Sequence, residues 1–85
     1  MVQLGADGGK PAPELVAAAA AAAGRAAALA PDDGSVLDTL AHLQDMQGDL
    51  DRALATERQA ARHAGEFAPE INAYLEQLER RAAGK

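Results

Sequence analysis

The sequence predicts an all-α domain of antiparallel helix hairpins, about four helices in a row. Three observations carry that expectation. Apolar residues recur at helical spacing along most of the chain. Helix stops at Pro31, Gly48 and Gly65 divide that pattern into segments of ordinary helix length. Shifting the chain by 34 residues superposes both the apolar spacing and the stops.

Residues 1–12 combine Gly5, Gly8, Gly9 and Pro11 with scattered polar groups and show no apolar period, so they read as a flexible leader. The first helix is expected over residues 13–29. Pro13 suits a first turn, Glu14 favours the positive end of the helix dipole, and alanine has the best helix propensity. Leu15, Ala19, Ala22, Ala26 and Leu29 keep helical spacing through the alanine run.

Pro31 disfavours helical geometry at Ala30, and Asp32, Asp33 and Gly34 supply turn chemistry. The second helix is expected over residues 35–46, with Ser35 and Asp38 at capping-box spacing. Its apolar set, Val36, Leu37, Leu40, Ala41 and Leu43, spreads over more than one face, so it must pack on two neighbours. Gln47, Gly48 and Asp49 break the pattern. Asp49 is placed to cap a third helix over residues 50–64, whose stripe of Leu50, Ala53, Leu54, Ala60, Ala61 and Ala64 is mostly alanine and admits a close neighbour. Gly65 suits a left-handed C-terminal cap. Pro69 opens a fourth helix over residues 69–83, with Ile71, Tyr74, Leu75, Leu78 and Ala82 on one side and Glu76, Gln77, Glu79 and Arg80 on the other. Leu40, Leu54, Tyr74, Leu75 and Leu78 are expected among the most buried side chains.

Composition bounds the function. Eighty-five residues make one small domain, and of the 41 apolar residues 23 are alanine, each burying little area. Eighteen are larger, two of them (Val2 and Leu4) in the leader, which predicts low stability for a free-standing domain. A net charge of −5 and two aromatic residues, Phe67 and Tyr74, count against nucleic acid as a partner. The absence of cysteine excludes disulfides and thiolate metal sites. Leu15–Ala23 is about half a bilayer span and is bracketed by Glu14 and Arg25, so no membrane span is expected. No positively charged leader supports a signal peptide, and a cytoplasmic location is the default expectation.

Leu37-Asp-Thr-Leu-Ala41, followed by Gly48-Asp-Leu-Asp-Arg-Ala-Leu54 and then Ala60, resembles a tetratricopeptide repeat. The junction Ala26-Ala-Ala-Leu-Ala-Pro31-Asp-Asp is similar to the one between that family's repeats. By this resemblance residues 34–67 are one full repeat, 13–33 the second helix of a preceding one, and 69–83 a capping helix. Leu37, Leu40, Ala41, Gly48, Ala53, Leu54, Ala60 and Pro31 then carry the structural positions. The resemblance implies a right-handed α-solenoid fragment and protein–protein interaction. Leu37, Ala41, Gln44 and Glu57 depart from the commonest residues, and Gln44 and Glu57 imply either looser packing of this helix pair or a surface that meets further chain.

In such hairpins the first helix of each pair lines a groove, which here presents Ser35, Asp38, His42, Asp45 and Met46. Asp38, His42 and Asp45 share one side at i, i+4 and i+7 and form an acidic strip able to accept Lys, Arg or backbone donors, so a partner bound there should be a basic protein or peptide. The bland reading leaves these residues capping their own helix or solvated. One imidazole with two carboxylates is a weak zinc set with no orienting second shell, so no metal and no cofactor is expected. His63 is explained by the negative end of its helix. A nucleophile paired with a base, or a phosphate loop, is not in the inventory, and no enzyme activity is expected. Arg52, Arg58 and Arg62 oppose Asp32, Asp33, Asp38 and Asp45 in sign, which offers head-to-tail self-association through the helix ends. The sequence therefore reads as a protein-interaction module or scaffold. The alternative is a structural capping segment of a larger multidomain or repeat protein, such as an enzyme, with no ligand of its own.

Overall fold

A computed structural model describes residues 12–84, so the leader expected over residues 1–12 lies, Ala12 apart, outside the described residues. The described chain is all-α. Four α-helices follow in order: α1 (Pro13–Leu29), α2 (Gly34–Met46), α3 (Leu50–Arg62) and α4 (Ala68–Ala83), with a single 3-10 turn, Gly65–Phe67, leading into α4. Each helix packs chiefly on its neighbours in sequence, α1 on α2, α2 on α3, α3 on α4, which makes a row of hairpins with extents of 39 × 33 × 21 Å.

The turns show why the helices end where they do. Ala30 leaves the helical region at φ −135°, ψ 67°, as the residue before a proline must, while its N–H still reaches the Ala26 carbonyl. The cap of α2 is Asp33 rather than Ser35. The Asp33 carboxylate accepts from the backbone N–H groups of Ser35 (3.0 Å) and Val36 (3.2 Å), which satisfies two of the orphan donors. The helix consequently starts one turn position early, at Gly34. That residue is buried against the His63 carbonyl, where a Cβ would overlap the backbone, so glycine is required there by close approach. Asp49 caps α3 through the Arg52 N–H at 3.1 Å. Between α2 and α3, Gly48 takes a φ of 83° that a side chain would resist.

The core is small and centred on α3. Leu37, Ala60, Ala64 and Ile71 form one cluster, with Ala27, Ala61 and Ala68 packed against it. Ala41, Ala53 and Ala60 are fully buried, so α2 and α3 meet through methyl groups. Leu78 and Ile71 are the largest fully buried apolar side chains. Leu40, Leu54, Tyr74 and Leu75 are only half-buried, contrary to the sequence expectation. The fully enclosed positions where α2 meets α3 are instead the alanines at 41, 53 and 60, whose small side chains let the backbones come close.

Candidate functional site

The residues expected to line a groove on α2 fall beside α4, which turns part of that strip inward. Asp45 is the hub. Its Oδ2 accepts from the Tyr74 hydroxyl at 2.9 Å, and Arg81 donates to both carboxylate oxygens, at 2.7 and 2.9 Å. This two-pronged geometry matches the planar guanidinium to the carboxylate. The Arg81 hydrogen bonds, helped by that of Tyr74, hold the Asp45 carboxyl below the usual carboxylate range despite partial burial. Burial and the adjacent Asp45 push the Tyr74 hydroxyl up, so it stays a donor.

His42 stacks on the Tyr74 ring at a centroid distance of 3.7 Å and 10° between planes, and its Nε2 lies 3.5 Å from Asp38 Oδ1. Ser35 and Met46, at the two ends of α2, are exposed and stand apart from this cluster; the Ser35 carbonyl accepts from Thr39 Oγ1. Among the described residues no group of three or more His, Cys, Asp and Glu is placed to hold a metal ion. Asp38 and His42 face each other while Asp45 is turned to Tyr74 and Arg81.

The residue that sequence reasoning placed elsewhere is Glu57. With Gln44 it implies either looser packing of the helix pair or a surface meeting further chain; both are buried inside this chain, Glu57 completely. As a carboxylate Glu57 would find no donor for either oxygen, whereas its protonated form donates to Asp38; the Gln44 carbonyl oxygen has no hydrogen-bond partner among the described residues. Burial, reinforced by a hydrogen bond to Asp38 alongside and by its charge, raises the Glu57 carboxyl to about 9, so it is protonated at neutral pH. The signal was present in the pattern. Glu57 stands four residues after Ala53 and three before Ala60, inside the buried alanine stripe. Tyr74 and Arg81, an i, i+7 pair on α4, were equally visible as one face, but not as the face that meets Asp45.

A second concave feature lies at the other end of α2. A shallow cleft of about 540 Å³ opens between the α1–α2 and α3–α4 junctions, lined by Leu29, Pro31, Asp32, His63 and Phe67 among others. His63 closes α3 there with its Nε2 3.7 Å from Asp32 Oδ1.

Among the described residues the two most exposed large apolar side chains lie on α1, followed by Met46 and Phe67. Of the 17 residues of α1, 13 are alanine, valine or leucine, yet Val16 alone is buried. Leu15 is 64% exposed and Leu29 87%. No helix among the described residues is long and apolar enough to cross a membrane. No protein-family model, no curated protein and no solved structure matches the chain.

Proposed function

We propose that the chain is a tetratricopeptide-like protein-interaction module, and that its docking surface is the outer side of α1. The observation that carries this reading is the mismatch between composition and burial in α1. A helix that is apolar nearly all round is ordinarily enclosed by protein or lipid; this one packs on α2 and leaves Leu15 and Leu29 open to solvent. The repeat-like pattern is supported by the alanine contact of α2 with α3 and by the turn at Gly48. The acidic strip on α2 is the weaker docking surface, because Asp45 is already neutralised by Arg81 within the chain.

A second reading draws on α4. Its outer side carries Glu76, Gln77, Glu79 and Arg80, all exposed, as suits the terminal helix of a repeat array with a polar outer face. In that reading α1 is covered by another helix of a longer protein, and no separate ligand binds. A photoreactive phenylalanine analogue in place of Ala22, introduced in cells that express the chain, separates the two. The interaction reading expects a discrete cross-link to another molecule, lost when Leu29→Glu is added. Cross-linking confined to the same polypeptide would favour the capping reading, and a cross-link obtained when the analogue replaces Met46 but not when it replaces Ala22 would move the docking surface to α2.

A further inference from the structure

The outer side of α1 is ordered as a seam. Leu15, Ala19, Ala22, Ala26 and Leu29 follow one another at intervals of four and three residues, and all five are exposed. That alternation is the apolar spacing by which one helix packs along another at a shallow angle. The seam lies roughly a third of a turn from the side that packs on α2, so a further helix can lie against α1 without displacing α2. Leucines at the ends and alanines between them let two backbones approach closely along the middle of the contact.

The charges on α1 decide what fits the seam. Glu14 and Arg25 are the only ionic residues of the helix. They are separated by eleven positions, about three turns, and so share one edge of the seam. Laid parallel, a second α1 puts the two Glu14/Arg25 edges on opposite flanks of the contact, where the charges do not meet. Laid antiparallel, it brings the Glu14 end of each helix to the half that holds Arg25 of the other and sets Leu15 of one against Leu29 of the other, with Ala22 at the centre. The pattern is thus complementary to its own two-fold copy. The chain's excess of acid lies outside α1, which is itself neutral and does not repel a second copy.

We propose that two copies of the chain associate by antiparallel pairing of α1 with α1 about a two-fold axis near Ala22. This rests on the reading of α1 as the docking surface and names its occupant. The contact is short. A helix of this length spans about 25 Å, and the surface it covers falls below the ~800 Å² per partner of a stable complex. The dimer is therefore reversible and concentration-dependent.

Sedimentation velocity on the full chain, from micromolar to millimolar, is expected to show a monomer–dimer equilibrium. Arg25→Glu leaves like charges about five residues apart along both edges of the antiparallel pair and should weaken the dimer by roughly threefold, as should Glu14→Arg, whereas Glu14→Arg with Arg25→Glu together should restore it. The chain has no cysteine, so single thiols report the register cleanly. Ala22→Cys is expected to form a disulfide with itself, and Leu15→Cys to cross-link with Leu29→Cys in a mixture of the two. Self-linking of Leu15→Cys instead would indicate a parallel pair and overturn the proposal, as would a dimer indifferent to every change on α1. These positions are exposed, so circular dichroism should report an unchanged helix content. A chain that stays monomeric throughout while Ala22 cross-links to a different protein overturns the pairing and leaves the interaction module standing. A monomer with no intermolecular cross-link overturns both.

Discussion

Helices α1 and α4 stand at opposite ends of the row, are nearly equal in length at 17 and 16 residues, and bury themselves in opposite ways. The more apolar of the two is the less buried. In α4 only half the residues are apolar, but Ile71 and Leu78, two turns apart on one side, are almost completely enclosed by the rest of the chain. In α1 the apolar residues run all round the helix, and only Val16 is buried. Burial follows the placement of large side chains, because area removed from water scales with their size and alanine contributes little of it. The polar residues sharpen the contrast. α4 is pinned to α2 by Tyr74 and Arg81 on Asp45 and to α3 by Arg58 and Glu79, 3.7 Å apart, whereas α1 makes no side-chain hydrogen bond or salt bridge to another described helix.

The comparison breaks most visibly in the core. Ile71→Ala or Leu78→Ala removes a fully enclosed side chain in a structure with few to spare, at a cost of about 2–5 kcal/mol. Val16→Ala, the corresponding truncation in α1, should cost about 1.5 kcal/mol. Urea denaturation of dilute protein measures both. Equal losses at the two ends would show that α1 is held as firmly as α4.

The next effect belongs to the helix between them. Glu57 ionises near 4.5 when unfolded and near 9 when folded, so between those values the unfolded chain binds fewer protons than the native one and stability falls as pH rises. The stability is fully present below about 4.5 and is lost progressively up to about 9. Glu57→Gln keeps the neutral shape and a donor toward Asp38 but cannot ionise in the unfolded chain. The variant should be more stable than the wild type at neutral pH by on the order of 1–3 kcal/mol, with the gap widening toward pH 9 and closing toward pH 4.5. Parallel stability–pH curves for the two proteins would place Glu57 outside the buried stripe.

Glu57 also marks where sequence reasoning stops. The four helices were legible because their boundaries rest on local chemistry: a proline that removes Ala30 from the helix, a glycine with positive φ at position 48, and aspartate at a helix start. At α2 even that was imperfect, since Ser35 and Asp33 are both good caps and only the geometry of the turn selects Asp33. Which apolar residue sits at the centre of a contact was less legible. Leu40 and Leu54 outrank Ala41 and Ala53 by hydrophobicity, yet the alanines are enclosed, because helix–helix distance is set by the smallest side chains along the line of approach. The side shared by Asp38, His42 and Asp45 could be read from helical spacing. That Tyr74 and Arg81 would meet it could not, since it depends on how α4 lies across α2, and no local pattern encodes that angle.

The smallest expected effect is the one that most directly tests the exposed character of α1. Leu29→Ala and Leu15→Ala each remove a side chain that is mostly in water already, so little burial is lost, and alanine favours the helix slightly more than leucine does. In dilute solution, below the concentration at which copies would pair, each substitution should leave stability within about 0.5 kcal/mol of the wild type, against the several kcal/mol expected for Ile71→Ala. At high concentration the outcome should change. If two copies pair through α1, the native state gains stability by mass action, and the wild-type unfolding midpoint should rise with concentration while that of the Leu15→Ala/Leu29→Ala double variant stays flat. Thermal melts across a hundredfold range of concentration supply the measurement. A large loss already in the dilute sample would mean that both leucines are enclosed within a single chain, and α1 would then be buried much as α4 is.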